Sequence, residues 1–143
     1  MSNYENLIRS SEHLDYVSLE GVPGIKIRNS EGVINQDMML TVLPIKSPNV
    51  MIKHPHKHEF DQILTFWGSN PDDMLDLGGE VELTICEPGK EAEKLVFTKA
   101  ACITIPKGVL HGPLNFKKVN DPQRPIWFQD IVKATEYIRA DIK

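Results

Sequence analysis

The stretch His54-Pro55-His56-Lys57-His58-Glu59-Phe60-Asp61-Gln62-Ile63-Leu64-Thr65-Phe66-Trp67-Gly68 holds three of the chain's five histidines and runs on into a β-type segment. Side chains alternate faces along an extended chain. His54, His56, His58, Gln62, Leu64 and Phe66 are therefore expected on one side, and Lys57, Asp61, Ile63 and Thr65 on the other. His56 and His58 would then present two imidazoles to one point. Neutral imidazole is the commonest side-chain ligand for divalent transition metals, so a bound metal is the first reading of this stretch. A solvated loop that happens to be rich in histidine is the competing one.

A downstream segment favours the metal. Pro106-Lys107-Gly108-Val109-Leu110-His111-Gly112-Pro113-Leu114-Asn115 opens with a proline that fixes φ and a glycine free to turn left-handed, after which the chain can return as a strand carrying His111. His111 is the candidate third imidazole.

Around these two segments, short apolar runs from residue 16 onward are punctuated by Gly, Pro, Asn and Asp. Besides the histidine strand, they predict strands at 24–28, 38–44, 50–53, 80–86, 94–98, 100–105, 111–119 and 125–132. Within 80–86, Val81, Leu83 and Ile85 alternate with Glu80, Glu82 and Thr84, the pattern of a half-buried strand. Residues 69–79 read as an ordered loop. Its Asp72, Asp73 and Asp76 lack EF-hand spacing and fit a solvated turn. Residues 1–15 read as an arm or short helix, with His13 a surface histidine, and 134–139 as a short helical turn. Many short strands and no long amphipathic helix predict an all-β sandwich or barrel.

At 143 residues the chain is expected to form one domain, 1–143, around a single core. A formal charge of −4 and no basic run argue against a nucleic-acid or anionic-membrane surface. No apolar stretch approaches the about 18 residues that span a bilayer, and the first ten residues carry no secretory pattern, so a cytoplasmic location is expected. Cys86 and Cys102 have no C-x-x-C spacing and read as reduced thiols filling the interior.

Taken together, the two histidine segments resemble the cupin superfamily, whose motifs are written G-x5-H-x-H-x3-4-E-x6-G and G-x5-P-x-G-x2-H-x3-N. His56-x-His58 is followed by Gln62 and Gly68, and the second motif runs without a gap from Pro106 through Gly108 and His111 to Asn115. Val50 and Ala100 stand where the leading glycines would be, and the spacing from Gln62 to Gly68 is one residue short. The resemblance covers about residues 35–132. It implies a double-stranded β-helix (jelly-roll) barrel with short terminal helical segments, and a divalent transition metal held by His56, His58, Gln62 and His111. It also implies a homodimer.

The largest departure is Gln62 in place of the acidic ligand. Its amide oxygen brings no negative charge, so an ion would keep nearly its full charge and attract an anionic or enolate-like ligand. The amide also cannot serve as a general base. His54, Glu59 and Tyr16 are ionisable residues with no geometry to recommend them for that role. Two functions follow. One is a metal-dependent enzyme, of isomerase or oxygenase type, acting on a small oxygen-rich or anionic molecule with Fe, Mn, Ni or Zn. The other is a binding or sensing module for a sugar or organic acid. A structural barrel with leftover histidines is a third, weaker reading.

Overall fold

In the computed structural model, which describes residues 14–27, 38–134 and 140–141, the described residues form twelve strands and no helix. In chain order these are β1 (Asp15–Leu19), β2 (Val22–Ile27), β3 (Met39–Ile45), β4 (Asn49–Ile52), β5 (His56–Lys57) and β6 (Gln62–Trp67). They continue with β7 (Asp76–Cys86), β8 (Glu93–Lys99), β9 (Ala101–Ile105), β10 (Leu110–Val119), β11 (Ile126–Val132) and β12 (Ala140–Asp141). One sheet runs β1-β2-β3-β11-β6-β9; the other runs β12-β5-β10-β7-β8, with β4 also paired to β10. Every pairing is antiparallel.

Period-two alternation decides which face of each sheet turns inward. On β3 the buried set is Met39, Thr41, Leu43 and Ile45; on β6 it is Gln62, Leu64 and Phe66. The opposing sheet contributes Leu77, Val81, Leu83, Leu114 and Phe116. Phe66 sits at the middle of this core, stacked on Phe128 at 5.0 Å between ring centroids and edge-on to Phe97 at 5.1 Å. Burying side chains of this size contributes about 1.5–3 kcal/mol each. Trp67 and Trp127, register partners on the opposite parity, stay half-exposed.

Several expectations need correction. The histidine segment is not one regular strand: β5 ends at Lys57 in one sheet and β6 begins at Gln62 in the other, so residues 58–61 form a corner between sheets. Asp15–Leu19 is a strand not among those expected, and Asp15, expected at the end of an arm, is its first residue. The loop expected at 69–79 is shorter, because β7 starts at Asp76 and buries Leu77 completely. Asp72, Asp73 and Asp76 are exposed, as a solvated turn requires. At Gly68 a Cβ would collide with the Asp76 carbonyl, so the chain can pass there only as glycine. The cysteines do not fill the interior: both are free thiols, Cys102 exposed on β9 and Cys86 half-buried on β7 of the other sheet. The arm over 1–13 with His13, and nearly all of the helical turn at 134–139, lie outside the described residues.

Candidate metal centre

The corner at 58–61 and the turn at 106–109 are bonded to each other. The Gly108 N–H donates to the His58 carbonyl at 2.8 Å, and the Lys107 N–H donates to Asp61 Oδ1 at 3.0 Å. Val109 N–H closes the turn on the Pro106 carbonyl at 3.2 Å, with Gly108 at φ +83° in the position where such a turn needs a left-handed residue. Just beyond, β10 pairs with β5 through His111 opposite His56. A register shift between His111 and Leu114 against β7 lets both face inward although they are three residues apart.

These constraints bring His56, His58 and His111 together. Each offers one ring nitrogen, and the three lie within 4.8 Å of one another. Ring centroids are 4.7 Å apart for His56 and His58, 4.3 Å for His56 and His111, and 5.2 Å for His58 and His111. All three are buried, and Phe60 stacks on the His58 ring at 4.5 Å. His54, which shares their sequence parity, is exposed and does not join them.

The tautomer of His111 follows from its surroundings. Its Nδ1 lies 3.0 Å from the Val109 carbonyl, which can only accept, so the proton resides on Nδ1 and Nε2 carries a lone pair. That Nε2 is buried and meets no hydrogen-bond partner among the described residues. Burial pushes the His111 pKa down to about 4; the Val109 carbonyl opposes this and a charge on His58 would add to it. At neutral pH the ring is therefore neutral, the form that ligates a metal.

Gln62 is fixed from its other end. Its Nε2 donates to Asp130 Oδ1 at 2.6 Å, leaving Oε1 buried and without a donor among the described residues. Asp130 is half-buried as a residue, but its carboxyl lies on the inner side. Desolvation there pushes its pKa up to about 6, against the opposing effects of the Gln62 hydrogen bond and of Lys26. Three buried imidazoles, each with a ring nitrogen within 4.8 Å of the others, form a donor set that fits a divalent transition ion.

Gln62 also lines a cavity of about 290 Å³ with Lys26, Thr41, Met39, Asp130 and Phe128 in its wall. Sheet register places Lys26 opposite Thr41, Thr41 opposite Asp130, and Asp130 opposite Leu64, so a polar row crosses the inner face beside the histidines. His54, Glu59 and Tyr16 have no part in it: all are exposed, Tyr16 to 82%. Asn115 sits opposite Glu82 on β7, away from the polar row. Asp130 is the residue that the sequence reading missed. Its signal was present, because Ile126, Phe128, Asp130 and Val132 share one parity and a carboxylate interrupts the apolar face.

No protein-family model and no curated relative matches the sequence. Solved structures do match. A tryptophan-to-phenylalanine variant of oxalate decarboxylase from Bacillus subtilis superposes with a TM-score of 0.59 at 11% identity, covering 90% of this chain. Vicilin from Corylus avellana superposes at 0.60 with 13% identity over 96%. Mn(II) centres are described for the Bacillus enzyme. This chain spans 30% of the oxalate decarboxylase and 36% of the vicilin chain. Coverage of nine-tenths of the chain at these scores identifies the architecture of its two antiparallel sheets: this protein has the jelly-roll fold of the cupins.

Proposed function

We propose that the protein is a metal-binding cupin in which His56, His58, His111 and the Gln62 amide oxygen hold a divalent transition ion, and that it acts on a small oxygen-rich or anionic molecule. The convergence of three buried ring nitrogens within 4.8 Å carries the reading. When bound, the ion supplies Lewis-acid chemistry, with oxygen chemistry added if it is Fe, Mn or Ni. His111 contributes a lone pair oriented by Val109, and Phe60 restrains the His58 ring by stacking. Four neutral ligands place no negative charge directly on the ion, which favours an anionic ligand in the adjoining cavity. A cavity of about 290 Å³ suits a molecule of modest size, and its wall carries one basic group, Lys26, and two acidic ones, Glu20 and Asp130.

The fold is carried both by an enzyme, oxalate decarboxylase, and by vicilin, a protein whose name states no activity. Capture of a sugar or organic acid without turnover is therefore the second reading, and the uncharged Gln62 is what favours it. Metal content of protein purified without a histidine tag tests the site. A bound ion that is lost in a His56→Ala/His111→Ala double variant is expected; equal metal in both rejects the centre. Prolonged incubation of the metal-loaded protein with small carboxylates and sugars separates turnover from capture.

A further inference from the structure

A glutamine stands where a charged ligand is expected, and the Asp130 carboxylate lies behind it, 2.6 Å from its Nε2. We propose that Asp130 is the positioning residue of the centre: it holds Gln62 Nε2, thereby turns Gln62 Oε1 toward the ion, and supplies from β11 the negative charge that the ligands themselves lack. The inference rests on the metal reading and deepens it.

Three observations carry it. An ionised carboxylate can only accept hydrogen bonds, so the 2.6 Å contact with Asp130 fixes which end of the Gln62 amide is nitrogen and leaves the oxygen facing away. That oxygen is buried and meets no donor among the described residues, an arrangement that costs free energy unless something else occupies its lone pairs. The two residues are also held rigidly. Gln62 pairs with Val132 and Leu64 with Asp130 across β6 and β11, which makes Gln62 and Asp130 diagonal neighbours on the inner face.

The chemistry is that of an outer carboxylate acting through an amide. A hydrogen bond from Nε2 to a carboxylate polarises the amide and raises electron density on Oε1, improving a neutral ligand without placing an anion directly on the ion. Asparagine at 130 would remove the charge and could present either Oδ1 or Nδ2. The Gln62 amide could then flip and offer the ion an N–H group, which cannot ligate.

Co(II) binding to the full chain, followed by equilibrium dialysis and by the visible absorption of the bound ion, tests this in a double-mutant cycle. Asp130→Asn is expected to weaken Co(II) binding by about 10-fold or more and to shift the absorption band. Gln62→Glu should bind no tighter than wild type, because it sets two carboxylates against each other with no donor between them. Gln62→Glu/Asp130→Asn restores a donor facing an acceptor and should bind about 10-fold tighter than either single variant. The swap keeps the test decisive should one single variant fold poorly. Additive effects, with Gln62→Glu alone tightening binding and Asp130→Asn leaving affinity and spectrum unchanged, overturn the role of Asp130 while the metal centre stands. A wild-type chain that takes up no Co(II) overturns the centre itself.

Discussion

Asp61 Oδ1 accepts the backbone N–H of Lys107 at 3.0 Å, joining the corner that carries His58 to the turn that precedes His111. Asp61 is exposed and follows the parity opposite to the ligands, yet it closes the connection on which their convergence depends. Its own carbonyl accepts the Lys133 N–H at 3.1 Å, so the corner is also bonded to the residue just after β11.

Replacing Asp61 with alanine should therefore lower stability by about 1–2 kcal/mol, the scale of a hydrogen bond to a charged acceptor. It should also weaken metal binding several-fold although it touches no ligand. Asp61→Asn keeps an acceptor and should retain most of both. Urea unfolding and a metal titration on the two variants measure this; a metal affinity untouched by Asp61→Ala would show that the histidines hold together without the staple.

Metal should stabilise the folded chain by mass action, because an unfolded chain does not assemble the centre. At a free concentration 100 times Kd the gain is about 2.7 kcal/mol, a rise of several degrees in Tm that a chelator reverses. The His56→Ala/His111→Ala variant should show no such rise. Thermal scans with Zn(II), Mn(II) and Co(II), each with and without chelator, make the comparison. An equal rise in the variant would place the ion elsewhere.

Strict alternation made much of this legible. Residues 80–86 show it plainly, and they became part of a strand whose buried parity was readable in advance. The histidines were legible for a chemical reason, since His56-x-His58 and a turn delivering His111 need only local geometry to suggest a shared point. Other features were hidden by physics that the sequence does not display locally. Burial alternates straight through 56–66, so the corner at 58–61 leaves no trace in the pattern although the chain changes sheets there. Gly78-Gly79 masks the start of β7, where a left-handed Gly78 and a register shift replace the usual side-chain signal. β1 could not be seen because Tyr16 and Leu19 are apolar yet exposed. Lys26, Thr41 and Asp130 are each visible as polar residues on a strand, but their alignment in one row depends on pairings between strands distant in sequence.

The aromatic core should matter to stability independently of the metal. Phe66 touches rings from β8, β10 and β11, so Phe66→Ala leaves a cavity at the contact between sheets. The expected cost is about 3–5 kcal/mol, with Phe66→Leu losing much less. Chemical denaturation in the presence of chelator tests it, and a loss under about 1 kcal/mol for Phe66→Ala would mean that the two sheets are not packed on this cluster.

Two desolvated groups should give the metal-free protein opposing responses to pH. His111 has a folded pKa of about 4, against 6.5 for an ordinary histidine, so between these values the unfolded chain binds more protons. Its contribution to stability is thus complete above pH 6.5 and is lost as pH falls through about 4. Asp130 runs the other way. Its folded pKa of about 6 exceeds the ordinary 3.8, so the folded chain binds more protons in that window. Its contribution is complete below 3.8 and is lost as pH rises through about 6. Asp130→Asn removes only the second response, because the asparagine amide does not titrate in this range. The stability of wild type minus that of Asp130→Asn, measured by urea unfolding in chelator, should therefore fall between about pH 4 and 6. The slope should be at most about 1.4 kcal/mol per pH unit, with no further change above about pH 7. A difference that is flat across the acid range would mean that the Asp130 carboxyl stays solvated in the folded protein.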